Sequence, residues 1–461
     1  MLRIQLVLFK ERLVDTLQVF NYVVQISKTN IKRPPKVVFF YKYSIMKIDL
    51  SLFNDEVQIG VDLCREIETF GYEAYIVGGC VRDIVRWYKG GQKGDPNIHD
   101  VDIATNMPMD ELYDNFKCTS NNGEAHGTIL VKWKKELFEV TQFRTDGDYS
   151  DGRHPDSVKF TKSFKDDVAR RDFTINAMGI DCNGNLIDYY NGEGDLDNNI
   201  LRTVGDSNQR FSEDALRIIR AMRFAARFGM KIDDDTFEGI KNIKGNLDKI
   251  AKERIGAELT KTAEYGKKPF ADVIGLLVKS GANEVIDPNV LINWKSAKDL
   301  TRKYARMDNT DNNYKVLFAL MFYDCDNLPE CIKLFRLEND VLKSLQFIYS
   351  NLNFSNNLYG DLNKTLTIFT NKDFELLNEV SLVINGDSIS NKERQVLSDL
   401  AKNVLPDNKK LSNALIEYGV QGQQFGKILG ELRNWYYSSY LYKHTKPSQE
   451  EIEEYIDKLV R

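Results

Sequence analysis

The order in which periodicities occur constrains this chain most. Short apolar or alternating runs cluster between Tyr75 and Asp181, at Tyr75-Ile76-Val77, Asp100 to Ala104, Gly127 to Trp133, Leu137 to Phe143 and Gly179 to Asp181. These are strand patterns. From about Gln209 onward almost every periodic segment has the spacing of a helix. Strands first and helices afterwards imply an α+β head joined to a long all-helical remainder. A helix is expected before the first strand, because Val57, Val61, Cys64, Ile67 and Phe70 recur at helical spacing and Gly71 supplies a stop. Lys89 to Asn97 is expected to be a Gly-rich surface loop.

At 461 residues the chain is long for one core, and about 150 residues per domain suggests two to four units. The expected division is a leader over 1–45, a head over 46–185, a helical neck over 186–270 and a helical body and tail over 271–461. With 42% hydrophobic and 28% charged residues, the composition excludes disorder across the whole chain. No apolar run reaches the roughly 18 residues that span a bilayer. Six cysteines without a Cys-x-x-Cys pair indicate a reducing compartment, and four histidines without metal-ligand spacing make zinc chemistry improbable.

The formal net charge of −5 is unevenly spread. Residues 1–45 carry eight basic and two acidic side chains, so the remainder holds 55 basic and 66 acidic groups, a balance of −11. A basic, apolar leader suits an organelle-targeting presequence, and Met46 offers an alternative start for an unlocalised form. The resulting expectation is a mitochondrial or cytoplasmic protein, with a nuclear form as a further option.

Two motifs carry chemistry. Gly78-Gly79 follows a strand and opens a helix, so backbone N–H groups and the helix's positive end can approach a phosphate, with Arg82 one turn further in. Asp100 and Asp102, two apart on an expected strand, project to one face. Like charges that close are costly without a cation between them, and Mg²⁺ prefers carboxylate and phosphate oxygens. Alone, Asp-x-Asp is more often a solvated strand edge. Together the two motifs read as a nucleotide and metal site.

Ile76-Val77-Gly78-Gly79-Cys80-Val81-Arg82-Asp83 followed by Asp100-Val101-Asp102-Ile103-Ala104-Thr105 resembles the signature of class II nucleotidyltransferases of the polymerase β superfamily. Within that group the chain resembles the tRNA nucleotidyltransferases, or CCA-adding enzymes, and the related bacterial poly(A) polymerases. Further similar segments follow in order: Gly123 to Ile129, Glu139 to Arg144, a flexible loop at Asp151 to Pro155, Arg170 to Ala177, Glu213 to Arg217 and Lys252 to Leu259.

The resemblance implies a nucleotidyltransferase head with a mixed sheet, then a helical neck, body and tail. It implies an Mg²⁺-dependent attack of a tRNA 3′-hydroxyl on the α-phosphate of CTP or ATP, with pyrophosphate leaving. Asp100 and Asp102 would hold the metal, with Glu139 as a third catalytic carboxylate or a structural residue. Gly78, Gly79, Arg82, Arg171, Arg220 and Arg223 would contact the nucleotide. Asp172 would orient Arg171 or cap a turn.

Ser212 is expected to cap a helix running through Arg227, with Glu213, Arg217, Arg220, Arg223 and Arg227 on one face. The bland reading of that face is a salt-bridged solvent surface. The sharper one is base selection. Cytosine and adenine both present an exocyclic amino donor beside an unprotonated ring nitrogen, whereas uracil and guanine present a carbonyl beside a ring N–H. A carboxylate and a guanidinium one turn apart, Asp214 and Arg217, can therefore accept C or A and reject U and G. The resemblance implies that these two residues do so, with Glu213 orienting Arg217.

The alternatives are a poly(A) polymerase or CC-adding enzyme of the same class and a non-catalytic RNA-binding paralogue. His99 and His126 are expected to be structural, and Cys80 to serve packing. No membrane partner is expected, and oligomeric state is not legible. The arginine face and the Lys-rich stretch Lys249 to Lys268 are expected to offer RNA a local positive track.

Overall fold

The first helix, α1 (Asp55–Thr69), buries Val57, Val61, Cys64 and Ile67, four of the five residues its spacing picks out, together with Ile59 and Leu63, while the fifth, Phe70, is exposed just past its end. Each aliphatic side chain removed from water contributes about 1.5–3 kcal/mol. Asp55 and Glu56 in its first turn suit the positive helix end, and Gly71 stops it with φ +88°. In the computed structural model the described residues are 46–461 except 95, 97, 120–123, 125–126, 148–156, 309–312 and 405. The leader, His126 and the Asp151–Pro155 loop therefore lie outside them.

After α1 come β1 (Ala74–Val77), α2 (Gly79–Lys89), β2 (Asp102–Thr105), α3 (Met109–Asn115), β3 (Lys117–Thr119), β4 (Thr128–Trp133) and β5 (Glu136–Gln142). A two-stranded sheet, β6 (Arg144–Asp146) with β7 (Val158–Phe160), precedes α4 (Phe164–Ala169), β8 (Met178–Ile180) and β9 (Leu186–Asp188). Seven strands form one sheet in the order β3-β4-β5-β2-β1-β8-β9. Its neighbours are antiparallel except β2 and β5, which run parallel with Ile103 opposite Val140. This is the mixed sheet expected of the head.

The helical part starts with α5 (Gly192–Asp197), β10 (Ile200–Leu201), α6 (Ser207–Glu213), α7 (Leu216–Phe228), β11 (Lys231–Ile232), α8 (Asp234–Ile243), α9 (Lys252–Glu264) and α10 (Lys267–Ser280). Eleven more α-helices follow between Ala282 and Val460 among the described residues. The parallel pair of β10 and β11 is a small departure from the all-helical expectation. One hydrophobic core runs from Ile48 in the head to Ile456 in the last helix. Among the described residues no helix is long and apolar enough to cross a membrane.

Two expectations need correction. The strand containing Asp102 starts at that residue; Asp100 precedes it, exposed and at φ +57°. The pairing of β1 with β2 begins at Val77 opposite Asp102, so Asp100 has no strand register to share a face with. The expected continuous helix from Ser212 is also broken. α6 is capped by Asp206, which accepts from Gln209 N at 2.8 Å, so Ser212 lies inside it. The chain then extends at Asp214 (φ −146°), whose carboxylate accepts from Leu216 N at 2.9 Å and opens α7.

Candidate active site

Leaving β1, the chain turns at Gly78 with φ +81° and ψ −139°, a conformation closed to residues with a side chain, and α2 begins at once. A Cβ on Gly78 would sit 3.3 Å from Arg171 Nη1 and 3.5 Å from Asp102 Oδ2. The glycine turn is therefore packed against a carboxylate and a cation. The register explains the meeting, since Val77, the last residue of β1, faces Asp102. Parallel pairing of Ile103 with Val140 then brings Glu139, one residue earlier on β5, beside Asp102. Burial pushes the Asp102 carboxyl up to about 6, helped by the negative charge of Glu139 and, more weakly, Asp100, and opposed by Arg171.

The expected arginines are held in place by protein partners. Arg82, 4% exposed, donates from Nε and Nη2 to Asp83 at 2.9 Å each and from Nη1 to Asn176 Oδ1 at 2.8 Å. Arg171 lies 3.6 Å from Asp167. Burial lowers the pKa of its guanidinium. Asp172 does not pair with Arg171 in this structure. Its Oδ2 accepts from Arg220 Nη2 at 2.7 Å and Nε at 3.0 Å, while Oδ1 accepts from Phe173 N and Asn176 Nδ2. Burial would raise the Asp172 pKa, but the charge and hydrogen bonds of Arg220, with Asn176, hold it down at about 2. Its arginine partner is thus Arg220, and the turn that follows, Thr174–Asn176, carries no side-chain cap.

At the break between α6 and α7, Glu213 Oε2 accepts from Arg217 Nη1 at 2.5 Å and from Arg210 Nη1 at 2.8 Å. The expected orientation of Arg217 by Glu213 is thus a direct ion pair. Asp214 meets a partner absent from the sequence reading, Arg254 of α9, which donates from Nη2 at 2.9 Å. Arg223 is 5% exposed and pairs with the buried Glu258, also of α9. Arg220 turns toward Asp172 of the head and Arg223 toward α9, so this part of the face is no solvated helix surface, while Arg227 stays exposed beside Tyr265. His99 sits on the surface 3.3 Å from Glu56, and Cys80 is buried, donating to Val77 O.

These groups converge on a cavity of about 580 Å³. Its wall includes Gly78, Gly79, Asp102, Glu139, Asp172, Asp214 and eight arginines: 82, 144, 170, 171, 217, 220, 223 and 227. The lining itself carries eight cations against four carboxylates, while Asp83, Asp167, Glu213 and Glu258 pair with Arg82, Arg171, Arg217 and Arg223 from outside it, so the surface that faces the hollow is the cationic one, as a triphosphate requires. Asp100 is not part of the wall. The wall also holds Arg144, Asn176 and Phe224, which spacing alone did not single out. Among the described residues no three His, Cys, Asp or Glu side chains gather as a metal cage. The carboxylates of Asp102 and Glu139 still fit a hard cation, which would relieve the repulsion that raises Asp102 and take its remaining ligands from phosphate and water.

Two segments of the chain match families of the polymerase A class. Residues 74–202 match the family described as Poly A polymerase head domain, and residues 229–290 match that described as Probable RNA and SrmB- binding site of polymerase A. The chain is 45% identical to the CCA-adding enzyme of Oceanobacillus iheyensis over 191 residues, 41% of this chain and 46% of that one. It is 35% identical to the CCA-adding enzyme of Limosilactobacillus fermentum over 290 residues, 61% of this chain and 68% of that one. The solved Bacillus stearothermophilus CCA-adding enzyme in complex with CTP is similar at a TM-score of 0.67 and 26% identity, with 88% of this chain and 98% of that one covered. The chain belongs to the CCA-adding enzyme family. It spans about half the length of the first curated relatives it matches.

Proposed function

We propose that this chain adds CCA to the 3′ end of tRNA, using CTP and ATP and releasing pyrophosphate. One observation carries the reading: Asp214 and Arg217 share a cavity wall with Gly78, Gly79, Arg171, Asp102 and Glu139. Base-reading and phosphate-binding groups thus face one space of a volume suited to a single nucleotide. The names of the relatives, and CTP in one of their solved structures, support the same substrates.

In this reading the arginines bind the triphosphate, and Asp214 with Arg217 selects C or A by donor and acceptor pattern. Arg254 and Glu213 keep that pair from turning away. Asp102, with Glu139 and Asp100 nearby, would hold Mg²⁺, which would supply charge neutralisation at the reacting phosphate. Residues 186–270 would present the base-reading side chains, and residues 271–461 would grip the tRNA. The basic leader of residues 1–45 would act as an address for mitochondria, with a form starting at Met46 in the cytoplasm. Fusing residues 1–45 to a fluorescent reporter tests that address, and a diffuse signal refutes it.

The substrate test uses tRNA ending before CCA, after C, or after CC, with each labelled nucleoside triphosphate in turn and sequencing of the product ends. The expected products carry CCA and no more. Arrest at CC identifies a CC-adding enzyme, a long A tail a poly(A) polymerase, and binding without extension an RNA-binding paralogue.

A further inference from the structure

We propose that Phe228 is a positioning residue of the nucleotide site, holding Arg82 in its phosphate-facing pose through the face of its ring. The proposal rests on the nucleotide-binding reading above. Phe228 is the last residue of α7, closed off by Gly229 at φ +66°, and it lies outside the cavity wall. Three guanidinium groups nevertheless surround it: Arg82 at 4.7 Å, Arg86 at 4.2 Å and Arg227 at 4.8 Å from the ring centroid. Arg82 and Arg86 both come from α2, the helix that opens at the glycine turn. A phenyl ring is negative on its face, and its pull on a cation grows when water is excluded, as it is around the buried Arg82.

The hydrogen bonds of Arg82 show what the ring adds. Of five guanidinium N–H groups, two bond Asp83 and one bonds Asn176. The remaining N–H groups are available to a phosphate oxygen only while the plane of the guanidinium is fixed. Asp83 and Asn176 bond its N–H groups, whereas its central carbon lies over the rings of Phe224 at 5.4 Å and Phe228 at 4.7 Å, two rings nearly parallel to each other at 4°. Phe228 thereby ties the triphosphate end of the site to the helix that bears Arg217 and Arg220. Leucine would fill much of the same space and lacks the negative face.

The test measures the CTP and ATP dissociation constants of the full chain by calorimetry, with KM and kcat from tRNA extension alongside. F228L should weaken both nucleotides by one common factor, roughly five- to thirtyfold. The same factor should appear in KM, with kcat unchanged. F228Y, which keeps the ring, should bind like the parent. Because the ring acts through Arg82, F228L/R82K should bind no more weakly than R82K alone. If F228L loses its cooperative melt, F228M replaces it. Parental affinity in F228L, equal weakness in F228Y and F228L, additive losses in the double variant, or unequal factors for CTP and ATP would each overturn the proposal. So would a parent chain that fails to bind CTP. A parent that binds CTP and shows the F228L effect, yet extends no tRNA, refutes the proposed function and leaves the role of Phe228 standing.

Discussion

Replacing Asp172 with Asn removes the charge that anchors Arg220, and its cost follows from the pKa. Lowering the Asp172 carboxyl from 3.8 to about 2 in the folded chain corresponds to about 2 kcal/mol of stability at neutral pH, at about 1.4 kcal/mol per pKa unit. The side chain is 9% exposed, so little of this is lost to solvent. Because the folded pKa is depressed, the contribution is fully present above the unfolded value near 4 and disappears as pH falls through the folded value near 2. The groups facing the carboxylate are Arg220, Asn176, the Phe173 N–H and, more remotely, Arg217. The arginines stay charged throughout, so the pH dependence belongs to Asp172. Urea unfolding followed by tryptophan fluorescence, with Trp87 and Trp133 reporting on the head, should show D172N about 2 kcal/mol less stable than the parent from pH 5 to 8. At pH 3 about half of that gap should remain. A D172N protein as stable as the parent at pH 7, or a gap as wide at pH 3 as at pH 7, refutes the reasoning.

Three further perturbations probe the cavity. D102N should abolish nucleotide incorporation and leave tRNA affinity intact, and the rise in melting temperature that Mg²⁺ with CTP gives the parent should vanish; a D102N protein that still extends tRNA rules out the carboxylate site. R254A leaves Asp214 without its ion-pair partner, and discrimination of CTP against UTP should fall on the order of tenfold. Unaltered discrimination in competitive incorporation assays would show that Arg254 does not hold the base-reading carboxylate. G78A places a side chain at φ +81° and 3.3 Å from Arg171 Nη1, so backbone strain of about 1–3 kcal/mol and a displaced Arg171 should weaken CTP binding; a parental CTP affinity by calorimetry would sink that account.

Local patterns were legible wherever one segment carried the whole signal. The α1 stripe, the strand into Gly78-Gly79 and the change from strands to helices all appear in contiguous residues. Relations across the chain were not. Asp172 is next to Arg171 in sequence, which invited that pairing, but its partner Arg220 comes from α7. Arg254 reaches Asp214 from α9, and nothing in the spacing of either segment announces the contact. Asp214 itself misled the helix assignment, because its neighbours continue the apolar rhythm while its side chain bonds Leu216 N and breaks the helix. Asp100 alternates with Asp102 on paper, but where a strand starts is set by its pairing partner. Two-residue strands such as β10 and β11 are too short to show any period.

The one parallel pairing in the head sheet also bears on how the protein is made. Parallel neighbours need a long crossover, and here β3 and β4 form within it before β5 returns to lie against β2. The acidic edge of the cavity therefore cannot assemble on a nascent chain until β5 has left the ribosome, and the wall stays incomplete until α7 has followed. Contacts of such sequence separation form slowly, because loop-closure entropy is lost before they can compensate for it. A fragment ending inside the head would carry the glycine turn and the carboxylates but no base-reading wall. Nucleotide can thus stabilise the finished site but cannot act as a template for its early folding.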